Sequence, residues 1–192
     1  MIVANSRIVA RTAPYPHAVG HQLLDPSVSE QILQWFEHKA PWRLRVESFY
    51  EQYELNLHQA GLPTALQGLI ANETIDCLAE RMLGPLLTGT FGLVEANAHK
   101  LLPGQTIKIH NDYINGAESH RVLIQINRNW SDENGGFLML FFGPNSGDVA
   151  RLIRPIHGSA VAFEISPTSF HAVSTILAGE RYTLVYSFKH AV

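Results

Sequence analysis

Gln105-Thr-Ile-Lys-Ile-His-Asn-Asp112 is the stretch from which the rest of the chain is read. Within it Thr106, Lys108 and His110 alternate with Ile107 and Ile109, the period-two pattern of a strand, so His110 stands at a strand end. Asp112, two residues on, points to the same side if the backbone stays extended, and an imidazole nitrogen and a carboxylate oxygen then converge on one point. Much later, Ser169-Phe-His171 supplies a second histidine, and Arg181-Tyr-Thr183 begins ten positions after it. Two imidazoles and one carboxylate on one face of a cation leave the opposite positions open, the donor set expected around a non-haem Fe(II). His110, Asp112 and His171 are therefore the candidate metal ligands and the candidate catalytic centre.

The composition bounds what surrounds that centre. A chain of 192 residues is long enough for one domain with a sizeable core. We expect a helical and strand support over about 1–88 and a β core over about 89–190. The net charge of -3, with no basic run or stripe, gives no reason to expect a nucleic-acid partner. No stretch reads as a membrane span, and Met1 to Ala13 carry Arg7 and Arg11 without the apolar run and cleavage site of a signal peptide. The single cysteine, Cys77, excludes an intramolecular disulfide and fits a reducing compartment, so the expected location is the cytoplasm. Cys77 itself reads as a small buried apolar side chain on a helix.

Along the chain, Tyr15-Pro16-His17 opens the ordered part as a rigid extended element. Asp25-Pro26-Ser27 starts a helix with Asp25 as cap, Val28, Ile32, Leu33, Trp35 and Phe36 on one face, and Pro41 as its stop. Trp42 to Leu57 reads as one or two strands. Thr64 begins a second helical region through Leu66, Leu69, Ile70, Ile75, Leu78 and Met82, closed by Gly84-Pro85. From there the punctuation changes to short β-rich runs: Phe91 to Leu102, Gln105 to His110, His120 to Asn127, Gly136 to Phe141, Ala150 to Ile156, Ser159 to Phe163, Ser169 to Ser174 and Arg181 to Phe188. About eight strands after helices predict a mainly β fold, a jelly roll, with the helices packed on its outside.

These residues carry a resemblance to the Fe(II)/2-oxoglutarate-dependent oxygenases, within them to the prolyl-4-hydroxylase-like group. Pro103-Gly104 and His110-Asn111-Asp112 resemble the family's turn and metal-binding strand; Arg121 to Asn127, Trp130 and Gly135-Gly136-Phe137-Leu138 resemble the segments that follow. Gly158 to Phe163, His171-Ala172-Val173 and Gly179-Glu180-Arg181-Tyr182-Thr183 resemble the strand before the second histidine, that histidine's strand and the closing strand. Phe137 stands where the family often has an acidic residue. The resemblance implies a double-stranded β-helix core, Fe(II) held by His110, Asp112 and His171, and 2-oxoglutarate and dioxygen as co-reactants. Arg181 would then clamp the distal carboxylate of 2-oxoglutarate, with Thr183 on the same strand face adding a hydroxyl and Tyr182 pointing away. Gln125 and Asn127, flanking Ile126, are the further candidates for cosubstrate or substrate contact.

The activity implied is hydroxylation of an unactivated C–H bond, with a residue in a peptide or protein as first substrate and a free amino acid or small natural-product intermediate as alternative. Because Asp112 fills the ligand position that halogenating relatives leave vacant, hydroxylation, desaturation or cyclisation is expected rather than halogenation. A cupin-type metal enzyme, or a non-catalytic barrel that binds a metal or small molecule, would share the architecture without needing Arg181. His99, on the strand before the metal motif, is a candidate for lining the pocket, whereas the remaining histidines read as surface or polar-face residues. Trp42 to Tyr53, Tyr113 to Ser119 and Asn127 to Gly135 are expected at the mouth.

Overall fold

Strand β12, Arg181–His190, shows how the layers are made. Tyr182, Leu184, Tyr186 and Phe188 face one way and Arg181, Thr183, Val185 and Ser187 the other, and all eight are buried because both faces of the strand are covered. The computed structural model describes residue 2 and residues 6–191, so part of the Met1–Ala13 stretch read for a signal peptide lies outside the described residues. The strands before β12 are β1 (Ile8–Arg11), β2 (His17–Gly20), β3 (Arg43–Val46), β4 (Glu51–Asn56), β5 (Phe91–Leu101) and β6 (Ile107–His110). They continue with β7 (His120–Gln125), β8 (Leu138–Phe141), β9 (Val149–Ile153), β10 (Ala160–Glu164) and β11 (His171–Val173). Two sheets result, an eight-stranded one in the order β1-β2-β10-β7-β12-β5-β4-β3 and a four-stranded one in the order β6-β11-β8-β9. The mainly antiparallel β architecture is the double-sheet jelly roll that the strand spacing predicts.

Alternation sorts the apolar side chains into two cores. Between the sheets, Val19, Leu123, Val161, Phe163 and Val185 meet Leu138, Leu140, Ile153 and Val173. On the other face of the large sheet, Ala18, Ala96, Ala98, Ala160 and Ala162 leave room for Ile32, Leu33 and Phe36 of helix α1 (Pro26–His38) and for Leu66, Leu69, Leu78 and Met82. The helices thus back the large sheet from outside, and the face between the sheets is left for the site. Asp25 caps α1 by accepting from the Ser27 amide at 2.8 Å, with Pro26 in the first turn. Lys39 and Ala40 both donate to the Trp35 carbonyl, ending the helix before Pro41 is reached. Phe36 then stacks on Tyr182 with ring centroids 5.5 Å apart.

Four expectations change. The ordered part begins at β1 rather than at Tyr15, and β1 and β2 extend the large sheet, giving twelve strands among the described residues. The four residues of β2 are all buried, so they carry no alternation for a sequence reading to find. The Thr64–Met82 region is three pieces: a 3-10 helix over Thr64–Ile70, α2 over Asn72–Leu78, and a π turn over Ala79–Leu83. Ala71 is extended at ψ 140°, which breaks the first from the second. Cys77 is half-buried rather than buried, while His17 and His120 are buried where surface or polar-face histidines were expected. Among the described residues no helix is long and apolar enough to cross a membrane.

Candidate active site

Strand register brings the two histidines together. β6 and β11 pair antiparallel with His110 opposite His171, so both rings rise from the same face of the small sheet, their centroids 4.3 Å apart. Asp112 follows in the segment just after β6. Its Oδ1 lies 3.5 Å from His110 Nε2 and its Oδ2 lies 3.0 Å from His171 Nε2. One ligand atom from each residue falls within 4.8 Å of the others.

Hydrogen bonding orients the rings toward that point. Nδ1 of His110 sits 2.8 Å from the Lys108 carbonyl oxygen and Nδ1 of His171 sits 3.0 Å from that of Ser169. A carbonyl only accepts, so each Nδ1 carries the proton and each Nε2 presents a lone pair to the carboxylate. Lone pairs facing a carboxylate at these distances need a cation between them, and the donors, imidazole and carboxylate, suit Fe(II). Phe49 lies against His110 and Phe163 against His171, with centroids 4.6 and 4.8 Å apart, which fixes the ring planes. Burial alone would raise the Asp112 carboxyl, but the Arg121 guanidinium beside it holds it well below the usual carboxylate range. Arg121 donates from Nη1 to Asp112 Oδ2 and from Nη2 to Glu118 Oε2, the latter at 2.8 Å.

Deeper between the sheets, Arg181 is 3% exposed. Its Nε donates to the Gly136 carbonyl at 2.9 Å and its Nη1 to Thr183 Oγ1 at 2.8 Å, while Nη2 is buried with no partner in the protein. Burial pushes the guanidinium down to about 10, so it is still charged at neutral pH. A buried charge without a counter-ion is costly, and an anion beside it removes the cost. The double glycine makes room for this side chain. Gly136 has φ +69°, and a Cβ there would lie 2.9 Å from both Arg181 Cδ and Ile176 Cδ1.

The four candidate cosubstrate residues part company here. Arg181 and Thr183 line the cavity. Gln125 stands behind them, accepting from Thr183 Oγ1 at 3.1 Å. Asn127 is turned away: its Oδ1 accepts from the Tyr182 amide at 2.6 Å and its Nδ2 donates to the Pro155 carbonyl at 3.2 Å. The reason is that β7 ends at Gln125, so the alternation that placed Asn127 on the same face no longer applies.

The cavity that holds both the triad and Arg181 measures about 380 Å³. Phe49 and Tyr50 from the Trp42–Tyr53 segment and Ile114 from the following loop reach it, as does His99, which burial pushes down to about 4. Trp42 does not, because it packs on Phe36 and Tyr182 at the back of the sheet. The Asn127–Gly135 loop is corrected too: Asn127 to Trp130 and Asn134 line a separate cleft with Glu37 and Tyr182. Sequence reasoning missed Gln52, Glu54 and Asn97 on the cavity wall, whose only signal is polar residues at every second position of β4 and β5.

Comparison with known proteins finds a family match and the same fold. The family model of the 2OG-Fe(II) oxygenase superfamily matches residues 96–189. Among solved structures, a prolyl-4-hydroxylase of Pseudomonas putida is 19% identical, with a TM-score of 0.66, over 98% of this chain and 95% of that one. A Trichoplax adhaerens prolyl hydroxylase in complex with a hypoxia inducible factor oxygen degradation domain peptide fragment is 20% identical, with a TM-score of 0.72, over 91% and 83%. HygX from Streptomyces hygroscopicus, with nickel, 2-oxoglutarate and hygromycin B bound, is 11% identical, with a TM-score of 0.63, over 91% and 83%. No curated protein matches. At these identities the structural likenesses carry the fold.

Proposed function

We propose that this chain, which belongs to the 2OG-Fe(II) oxygenase superfamily, hydroxylates an unactivated C–H bond of a residue within a peptide. The enzyme class and its requirement for Fe(II), 2-oxoglutarate and dioxygen follow from the family. In the overall reaction 2-oxoglutarate and dioxygen give succinate and carbon dioxide, and the second oxygen atom enters the substrate as a hydroxyl. The observation that carries the proposal is one cavity walled by the His110–Asp112–His171 triad and by Arg181 with its unpartnered Nη2.

His110 Nε2, His171 Nε2 and an Asp112 oxygen would hold Fe(II), and bound iron supplies the activation of dioxygen. Arg181 takes the distal carboxylate of 2-oxoglutarate through Nη2, with the Thr183 hydroxyl beside it held by Gln125. Arg121 keeps Asp112 ionised and fixed, so that no proton must leave before a metal binds. Ile107, Leu123 and Val173 give the cavity its apolar surface and keep water from the reacting carbon. A peptide substrate is supported by the peptide bound to the Trichoplax neighbour. The free amino acid or small-molecule reading is favoured instead by the polar residues that β4 and β5 turn into the cavity.

Aerobic incubation of the iron-loaded chain with 2-oxoglutarate and candidate peptides or amino acids tests this. Succinate formation and a product heavier by one oxygen atom are expected; neither succinate nor dioxygen uptake under any substrate would sink the reading.

A further inference from the structure

The cavity wall opposite the triad has a chemistry that the oxygenase reading does not use. It is made by the inward positions of β4 and β5, where Gln52, Glu54, Glu95, Asn97 and His99 stand in place of the apolar residues that fill the rest of the space between the sheets. Gln52 is 2% exposed and donates from Nε2 to Glu54 Oε1 at 2.7 Å. A carboxylate only accepts, so this contact fixes the orientation of the amide and leaves Oε1 as an acceptor. That oxygen is buried and has no partner. The wall therefore wants a donor. Its charge points the same way: the cation beside Glu54 is the exposed Arg45, with Nη1 3.5 Å from Oε2. Arg45 lies nearer to Glu47, at 3.0 Å. Glu95, which lines the cavity but is exposed to solvent, accepts from the Asn56 amide at 3.5 Å and adds negative charge at its edge. His99 adds no positive charge at neutral pH, since burial keeps its imidazole neutral.

A donor-bearing cation satisfies Gln52 Oε1 beside the negative charge of Glu54 and Glu95, whereas an anion would meet those two carboxylates and a hydrocarbon would leave Gln52 Oε1 stranded. The aromatic rings of Tyr50 and of Phe49, the latter against His110, line the same cavity and suit the alkyl chain of an amine as well as its charge. We propose that Gln52, Glu54 and Glu95 form a binding subsite for a protonated primary amine of the substrate, which sets the distance from that amine to the C–H bond placed at the triad. This rests on the oxygenase reading for what the triad does, and it narrows the substrate class to molecules that carry a primary amine. The amine comes either from a lysine side chain within a peptide or from a free amino acid.

Matched pairs of probes decide it. Binding is measured by calorimetry on the chain as isolated and on the chain loaded with Fe(II) and 2-oxoglutarate without dioxygen. The probes are an end-capped tripeptide with a central lysine against its acetyl-lysine counterpart, and free leucine against N-acetyl-leucine. At least one amine is expected to bind tenfold or more tightly than its acetylated partner, and which one does identifies the source. Glu54→Gln and Gln52→Leu, each checked for an unchanged melting profile, should each cut that affinity about tenfold, while Glu73→Gln, on the exposed face of α2, should not. No preference for the amine in either pair, including no binding at all, overturns the proposal, as does full amine affinity in both cavity variants. Wild-type succinate formation from 2-oxoglutarate without added substrate is followed in parallel. Its absence, together with absent iron binding, counts against the oxygenase reading, and the calorimetry still decides the amine.

Discussion

Each histidine of the triad spends one ring nitrogen on a carbonyl two residues earlier in the chain, and this leaves the other with a single purpose. Replacing either leaves two protein ligands, so His110→Ala and His171→Ala should each take iron from one equivalent to near none. Metal analysis after anaerobic loading measures this, and full stoichiometry in both variants would remove the site. Arg181→Leu should leave iron in place and weaken 2-oxoglutarate by about 2–5 kcal/mol, the loss usual when one partner of a buried charge pair is truncated. Unchanged affinity would pass the role to Arg121. Gly136→Ala tests the same clamp from the backbone side. A Cβ at φ +69° that crowds Arg181 Cδ and Ile176 Cδ1 should cost about 1–2 kcal/mol in strain alone and shift the guanidinium. A titration of 2-oxoglutarate should therefore show weaker binding with no loss of iron. The convergence of His110, Asp112 and His171 and the inward position of Arg181 were legible because residue type and strand parity both bear on them. Gln52 and Arg121 were not, since their importance depends on which wall faces which.

Elements explain why that parity held where it did. The eight strands from Phe91 onward are near where β-rich composition and turn residues put them, because Gly, Pro, Asn, Asp and Ser clusters punctuate them even where, as in β10 and β12, both faces are buried. Asn127 fails for the converse reason, one residue pair beyond the end of β7. Strand β2 escapes notice because its four residues, His-Ala-Val-Gly, are buried on both faces and carry no alternation, and β1 because Ile-Val-Ala-Arg, half-buried or exposed, carries none either. Helix α1 was legible from its cap and stripe, and its role is to support β12 from behind. Phe36, buried and stacked on Tyr182, transmits that support. Phe36→Ala should cost about 3–5 kcal/mol of stability through the cavity it leaves. Urea unfolding should show a lower midpoint at similar slope, and a midpoint within error of wild type would mean that the helix does not brace the sheet.

At the scale of the molecule, two layers of sheet and one of helices bury histidines other than the triad's, and this ties stability to pH. His120 is 4% exposed, lies edge-on to Phe91 at 5.1 Å and faces His190. Burial first, and then the neighbouring His190, push its imidazole down to about 4. In the unfolded chain a histidine binds its proton near 6.5. Between those two values the unfolded chain holds a proton that the fold refuses, so stability rises with pH across this window. It is fully present above about 6.5 and is lost as the pH falls toward about 4. His120→Phe removes the titration while keeping a ring against Phe91. The comparison is therefore between two slopes: urea unfolding at pH 7.5 and pH 5 should show wild type losing about 1 kcal/mol more than the variant, allowing for partial solvent screening. His17, which burial also pushes down, keeps its own contribution in both proteins and cancels from the difference. Equal losses in the two proteins would mean that the folded chain accepts a proton at His120 as readily as the unfolded one.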